Sequence, residues 1–173
     1  ATQGVMGGNL VGMFVVADLN STSVQSFDDN TFYTIGARQT GKAAGLDYRV
    51  EYYHQFGDGA VSATSANFSA AYDNVTGSTA TNGSDIDRDA SMFGLRVGKT
   101  FKNATYSPTV TLWYDNLSGT DDDDTNGSDM GTFHTLQDTG HKFYGLMDQY
   151  TAADGAGTNY YGLQDIALKL KLK

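Results

Sequence analysis

The residues of this chain that could do chemistry are mostly its charges. Arg38, Arg49, Arg96, Lys102, Lys169, Lys171 and Lys173 recur at the polar positions of segments that alternate oily and polar residues. Rows of cations on such faces attract anions and set the selectivity of a channel lining. A second candidate is Asp121, Asp122, Asp123 and Asp124, whose hard oxygens suit Ca²⁺. They lack the D-x-D-x-D-G spacing and terminal glutamate of a calcium loop, so a solvated loop is the stronger reading. His134 and His141 stand seven apart with no H-E-x-x-H pattern, a weak metal signal. There is no G-x-S-x-G elbow, no cysteine nucleophile and no carboxylate pair with a reason for split pKa values. "GDGA" and "GAG" lack the G-K-[ST] of a phosphate loop. The expectation is a protein that is not an enzyme and needs no cofactor.

Elements that could position these charges follow from period-two alternation between turn signals. In "GLDYRVEYYHQF", Leu46, Tyr48, Val50, Tyr52, His54 and Phe56 fall on one side, and Asp47, Arg49, Glu51, Tyr53 and Gln55 on the other. "SMFGLRVGKTFK" sets Phe93, Leu95, Val97 and Phe101 against Gly94, Arg96, Gly98, Thr100 and Lys102. "SPTVTLWYDN" sets Val110, Leu112 and Tyr114 against Thr111, Trp113 and Asp115, and "TFYTIGARQ" sets Tyr33, Ile35 and Ala37 against Thr34, Gly36 and Arg38. "NLVGMFVVADL" is oilier, with Val11, Met13, Val15, Ala17 and Leu19 assigned to the apolar side and Gly12 and Asp18 to the other. The closing "DIALKLKLK" places Ile166, Leu168, Leu170 and Leu172 against Asp165, Lys169, Lys171 and Lys173. His54, Tyr48, Tyr52, Tyr114 and Phe56 read as an aromatic girdle at an interface.

Strands are therefore expected at 8–19, 30–40, 45–56, 90–102, 106–117 and 161–173, with "AVSATSANFSAAYDN" read as part of a long loop. They hold five acids against eight bases, while the rest of the chain holds 15 acids and three bases. The net charge of −9 argues against nucleic acid, whose phosphates need cations. With 21 glycines, one proline and no cysteine, the composition is that of a β-rich chain without disulfides. No apolar run approaches the roughly 18 residues of a membrane helix, yet strands of this length match the roughly 9 to 11 residues of a tilted spanning strand. Short connections alternate with long polar ones, as in outer-membrane barrels. The fold expected is all-β: an antiparallel up-and-down transmembrane β-barrel, partial, with about six spanning strands. Residues 1–173 make one such segment, with long external loops at 57–89 and 118–160. The opening "ATQGVMGG" lacks signal-peptide character and reads as a mature terminus or an internal cut.

The order "FYTIGARQTGKAAGLDYRVEYYHQFGD", "SPTVTLWYDNLSGTDDD", "GTFHTLQDTGHKFYGLMDQY" and "GLQDIALKLKLK" resembles the alginate-export-like family of bacterial outer-membrane β-barrel porins, in its C-proximal part. The resemblance is carried by E-x-x-x-Q-x-G (Glu51, Gln55, Gly57), by S-G-x-D (Ser118, Gly119, Asp121), and by Thr132, Phe133, His141 to Gly145, Met147 and Asp148. It implies a porin or exporter in the bacterial outer membrane that passes anionic polysaccharide or small solutes through a basic lumen. The lining would be Arg38, Arg49, Arg96, Lys102, Lys169, Lys171 and Lys173. A loop folded inward over 130–150, carrying His141, Lys142, Tyr144 and Asp148, would form the constriction. Partners would be outer-membrane lipid, the anionic solute, and the remaining strands of a larger barrel or other copies, because a spanning strand cannot leave a bare edge in a membrane.

Two other classes compete with that reading. One is structural: a barrel or sheet that assembles with partners and scaffolds an envelope or filament, conducting nothing. The other is a soluble β-sandwich that binds carbohydrate at its loops. A further local alternative is that Arg49 only pairs with Glu51 or Asp47 across strands and fixes the wall.

Overall fold

The computed structural model describes residues 2–5, 8–18, 31–59, 86–120, 129–135 and 161–172. Every element among them is a strand: β1 (Thr2–Val5), β2 (Gly8–Asp18), β3 (Thr31–Ala43), β4 (Leu46–Gly59), β5 (Ile86–Thr100), β6 (Thr109–Leu117), β7 (Asp129–Met130) and β8 (Leu163–Lys171). The strands hydrogen-bond in the order β1-β2-β3-β4-β5-β6-β8, and β7 attaches to β5. All these pairings are antiparallel except the short β5–β7 contact, which is parallel. The last pairing, β6 with β8, joins strands separated by the long segment that follows residue 117.

Local chemistry explains the hairpins. Ala44 and Gly45 connect β3 to β4 with φ of 51° and 76°, so both central residues of a two-residue turn are left-handed. That is the turn whose twist matches the strands it joins. Pairing then runs without interruption from Ala43↔Leu46 to Phe32↔Gly57. Between β5 and β6 the chain folds back through three backbone hydrogen bonds, Phe101 N–H to Pro108, Ala104 N–H to Phe101 and Ser107 N–H to Ala104. Tyr106 and Ser107 in that turn also have positive φ. β5, at 15 residues, reaches about 50 Å at the usual rise per residue.

The sheet is open. β1 lies at one edge and β8 at the other, and they do not pair with each other. This overturns the expected transmembrane β-barrel and the membrane-protein reading built on it. Strand length and alternation specify strands and faces, but closure depends on hydrogen bonding between the two edge strands, which neither property encodes. The sandwich alternative also lacks its second sheet among the described residues.

Faces follow the alternation, with one inversion. Opposed residues in an antiparallel pair share a face, and β2 pairs Val11↔Arg38, Met13↔Gly36, Val15↔Thr34 and Ala17↔Phe32. Val11, Met13, Val15 and Ala17 therefore lie on the charged face, while Leu10, Phe14 and Val16 join the apolar one. The expected phase of β2 was reversed because both of its residue sets are oily, so only pairing could fix it. Phe14 stacks on Tyr33, Tyr33 on Phe56 and Phe56 on His54, across three strands of the apolar face.

Burial is distributed against the usual expectation for a half-covered sheet. The apolar face is uncovered, with Phe14 at 62% and Leu168 at 73% relative exposure. The charged face holds the buried side chains: Phe32, Thr34, Glu51, Gln55, Arg88, Ala90, Arg96, Asp115 and Leu117. Its small apolar cluster, Ala90, Leu117 and Phe133 with Tyr53, Met92 and Leu163 against it, lies at the end of the sheet where β6 finishes.

The hairpin yields a stability test. Alanine in the left-handed region carries a steric cost of about 1 kcal/mol, and asparagine is favoured before glycine in this turn. Ala44→Asn is expected to raise the urea midpoint by the equivalent of about 0.5–1 kcal/mol without changing the denaturation slope.

Candidate functional site

Register brings the charged residues of β3 to β8 into rows. Arg49 stands directly opposite Arg96, and Arg96 opposite Trp113; in the next row Glu51 stands opposite Gly94 and Gly94 opposite Asp115. Two like charges placed face to face repel. The acids of the neighbouring row resolve this. Arg96 donates through Nη1 to Asp115 Oδ1 at 2.6 Å and through Nη2 to Oδ2 at 2.8 Å, a two-pronged pair. Its Nη1 also lies 3.5 Å from Glu51 Oε1. Arg49 Nη2 donates to Glu51 Oε2 at 2.7 Å. Arg49 pairs with Glu51 two residues along its own strand, not across strands as expected.

Gly94 makes this possible. A Cβ there would sit 2.8 Å from Glu51 Cγ and 2.9 Å from Arg96 Nη1, in the space through which the guanidinium reaches both carboxylates. Trp113 completes the group by donating its Nε1–H to Asp115 Oδ2 at 2.9 Å. The Arg96 guanidinium carbon lies 3.6 Å from the centre of the Trp113 ring, and Lys169 Nζ lies 3.4 Å from it. The indole is thus engaged by two cations. Tyr53 O–H donates to Glu51 Oε2 at 3.4 Å. Burial pushes the Tyr53 phenol above its ordinary 10.0, and the Glu51 charge raises it further, while Arg38 and Arg49 pull the other way.

A second construction lies at the end of the same face, where residues 129–134 cross β3, β4 and β5. Gln55, fully buried, grips the backbone of His134 at two points: Nε2 donates to its carbonyl at 2.7 Å, and Oε1 accepts from its N–H at 2.8 Å. Gln55 also donates to Thr34 Oγ1 at 3.2 Å. Arg88 donates to the Thr132 carbonyl at 3.0 Å and to Met130 Sδ at 3.1 Å, and lies 4.4 Å over the Phe32 ring. His134 packs on the other ring contact of Phe32, 5.3 Å between centroids. Ser118 Oγ accepts from Ser91 N–H and donates to the Gly131 carbonyl, and the Thr120 and Thr132 hydroxyls meet at 2.8 Å. The segment is a strap bound to the face mainly through its backbone.

The expected lining residues separate into three groups. Arg38, Arg49, Arg96, Lys169 and Lys171 share the charged face. Lys102 does not: β5 ends at Thr100, and Lys102 lies exposed in the turn that follows. Lys173, the loop residues His141, Lys142, Tyr144 and Asp148, and the acidic run Asp121, Asp122, Asp123 and Asp124 lie outside the described residues. Among the described residues no cluster of three potential ligands could hold a metal. His54 stands on the apolar face with its aromatic neighbours, 3.7 Å from Asp89. The partners of Arg96 and the strap contacts of Arg88 were missed by sequence reasoning. A glycine between acids of adjacent strands was the available signal, and it needs the register to be seen.

The channel reading falls with the barrel. A lumen requires a closed wall, and an open sheet supplies neither a basic pore for an anionic solute nor the ring of strands that would contact lipid. The paired state of Arg49 and Arg96 points the same way, because their charge is already spent on Glu51 and Asp115.

Two outcomes follow for this face. Asp115→Ala leaves the buried Arg96 without its main counter-ion and is expected to destabilise the sheet by about 3–5 kcal/mol, read as a fall in thermal midpoint, with Asp115→Asn less damaging. For Tyr53, below 10.0 both folded and unfolded chains hold the phenolic proton and the stabilisation is complete. Above that, the unfolded chain releases it first, so stability declines as pH rises until the folded form ionises as well. Tyr53→Phe is expected to flatten this alkaline decline in pH-dependent denaturation curves.

A family model described as alginate export matches residues 10–166. Comparison with curated proteins found no match, and neither did comparison with solved structures.

Proposed function

Because the chain belongs to the alginate export family, we propose that it serves as a structural sheet of an export assembly at the bacterial outer membrane, joining partners and conducting nothing by itself. Export moves a solute without converting it, and as a member of an export family the chain is not an enzyme. Export is also work of the cell envelope, and the family match supports that location.

One observation carries the scaffold reading: among the described residues the sheet is open at both edges and leaves its apolar face uncovered while its charged face is tied internally. Ile35, Tyr52, Phe93, Leu112, Ile166, Leu168 and Leu170 are all exposed on that face. A contiguous apolar surface of this extent marks an interaction site, since each large side chain removed from water contributes about 1.5–3 kcal/mol. The buried ion pairs supply rigidity to the wall. A face on which Arg49 and Arg96 are held by Glu51 and Asp115 is suited to holding a shape more than to attracting a mobile anion.

Sedimentation velocity and planar-bilayer recording on the 173-residue chain test this together. Concentration-dependent assembly without steady ionic current is the expected result. A species that stays monomeric at every concentration, or one that opens discrete conducting steps, would refute the scaffold.

A further inference from the structure

The strap is held on the sheet as a ligand is held in a site. Ser118 Oγ donates to the Gly131 carbonyl at 2.6 Å, and Arg88 donates to the Thr132 carbonyl at 3.0 Å. The Phe133 N–H donates to the Ser118 carbonyl at 3.2 Å, and Gln55 takes both backbone groups of His134. Side chains are read as well. Met130 is buried with its sulfur accepting from Arg88, and the Thr132 hydroxyl meets that of Thr120. Phe133 packs with Ala90 and Leu117. A Cβ on Gly131 would come 2.5 Å from the Gly119 carbonyl oxygen, so glycine is required there. Every position from Met130 to His134 is therefore recognised. Backbone bonds for affinity with pockets for chosen side chains is the way grooves bind extended peptides.

Two features set the strap apart from the strands it crosses. Only Asp129 and Met130 enter a ladder, as β7 against β5, so the rest is held by groups that do not depend on continuity of the chain. The strap is also joined to the sheet through residues 121–128 on one side and 136–160 on the other. The shorter of these reaches on the order of 30 Å when extended, against roughly 10 Å from β5 to β3. Every copy of the chain carries the same strap and the same seat. A strap from one copy in the seat of another repeats each contact unchanged, which is the condition for exchanging an identical element. The exchange asks for no unoccupied surface, since the resident strap leaves as the incoming one arrives.

We infer that the strap is an exchangeable element: the seat built by Gln55, Arg88, Ser118 and Thr120 takes Met130 to His134 of a second copy as it takes its own, and copies of this chain join by reciprocal strap exchange. The occupant is a second copy because the seat matches this sequence position by position. Another sequence loses the match. A side chain in place of Gly131 strikes the Gly119 carbonyl, and a polar one in place of Phe133 enters the cluster of Ala90 and Leu117. Contacts within one chain and between two are the same, so the tether favours the resident strap and exchange adds little affinity by itself. Its effect is on rate. Forming the join requires both straps to leave their seats, and parting requires it again, so exchange makes assembly slow in both directions.

This inference rests on the scaffold reading and names its contact. The chain has no cysteine, and the Thr120 and Thr132 hydroxyls, 2.8 Å apart, mark where seat and strap touch. Full chains carrying Thr120→Cys alone and Thr132→Cys alone are mixed and oxidised with glutathione disulfide. The disulfide between the two variants is expected to exceed its statistical share over the two homodimers several-fold, because position 120 of one copy meets position 132 of the other only when straps have exchanged. Placed together in one chain at low concentration, the two cysteines are expected to close an intramolecular disulfide, which shows that neither substitution unseats the strap. A statistical mixture of the three dimers, homodimers alone, or failure of the double variant to close would overturn the inference. If the wild-type chain assembles in sedimentation while the mixed variants give only the statistical mixture, strap exchange falls and the scaffold stands. A chain that never assembles removes both.

Discussion

The organisation of the charged face depends on Arg96 passing over Gly94. Register alone sets Arg49 against Arg96 and leaves Glu51 and Asp115 on either side of a glycine. Ionised groups at this degree of burial are tolerable only when they are paired. The missing side chain at Gly94 lets one guanidinium reach both acids, so four charges on three strands become a single neutral group. Trp113 then ties that group to β6 through its hydrogen bond to Asp115 and accepts Lys169 from β8 on its ring. Six residues thereby couple β4, β5, β6 and β8 without any apolar packing between layers. Replacing such a network with hydrophobic residues could be as stable, but it would not hold a register, and register is what this single-layer sheet must keep.

The strap uses the same economy at the end of the face. Its backbone has no strand partner there beyond two residues of β7, so its N–H and carbonyl groups need other bonds. Gln55 serves the purpose because a primary amide offers one donor and one acceptor side by side, which is what an amide of a neighbouring strand would present to His134. Arg88 takes the Thr132 carbonyl and fills the space above Phe32. The motif E-x-x-x-Q-x-G thus divides into three tasks. Glu51 holds the ion-pair group, Gln55 holds the strap, and Gly57, at φ of 122° with the Thr31 carbonyl close to where its Cβ would be, lets β4 continue past β3.

Alternation made much of this legible. Tyr48, Val50, Tyr52 and Phe93 could be set against Arg49, Glu51 and Arg96 from sequence because each strand mixes oily and charged residues in strict turn, and the register of β3 to β6 and β8 agrees. Where both residue sets are oily, as in β2, the pattern carries no phase, and Val11, Met13, Val15 and Ala17 came out on the face opposite to that expected. Lys102 was extrapolated from a strand that stops two residues earlier, at Thr100, where the chain turns through a hydrogen bond from Phe101 to Pro108. The ion-pair group needed distances between strands that no single segment contains. Closure failed for a related reason: a strand edge is defined by what is absent beside it, and a sequence records only what is present.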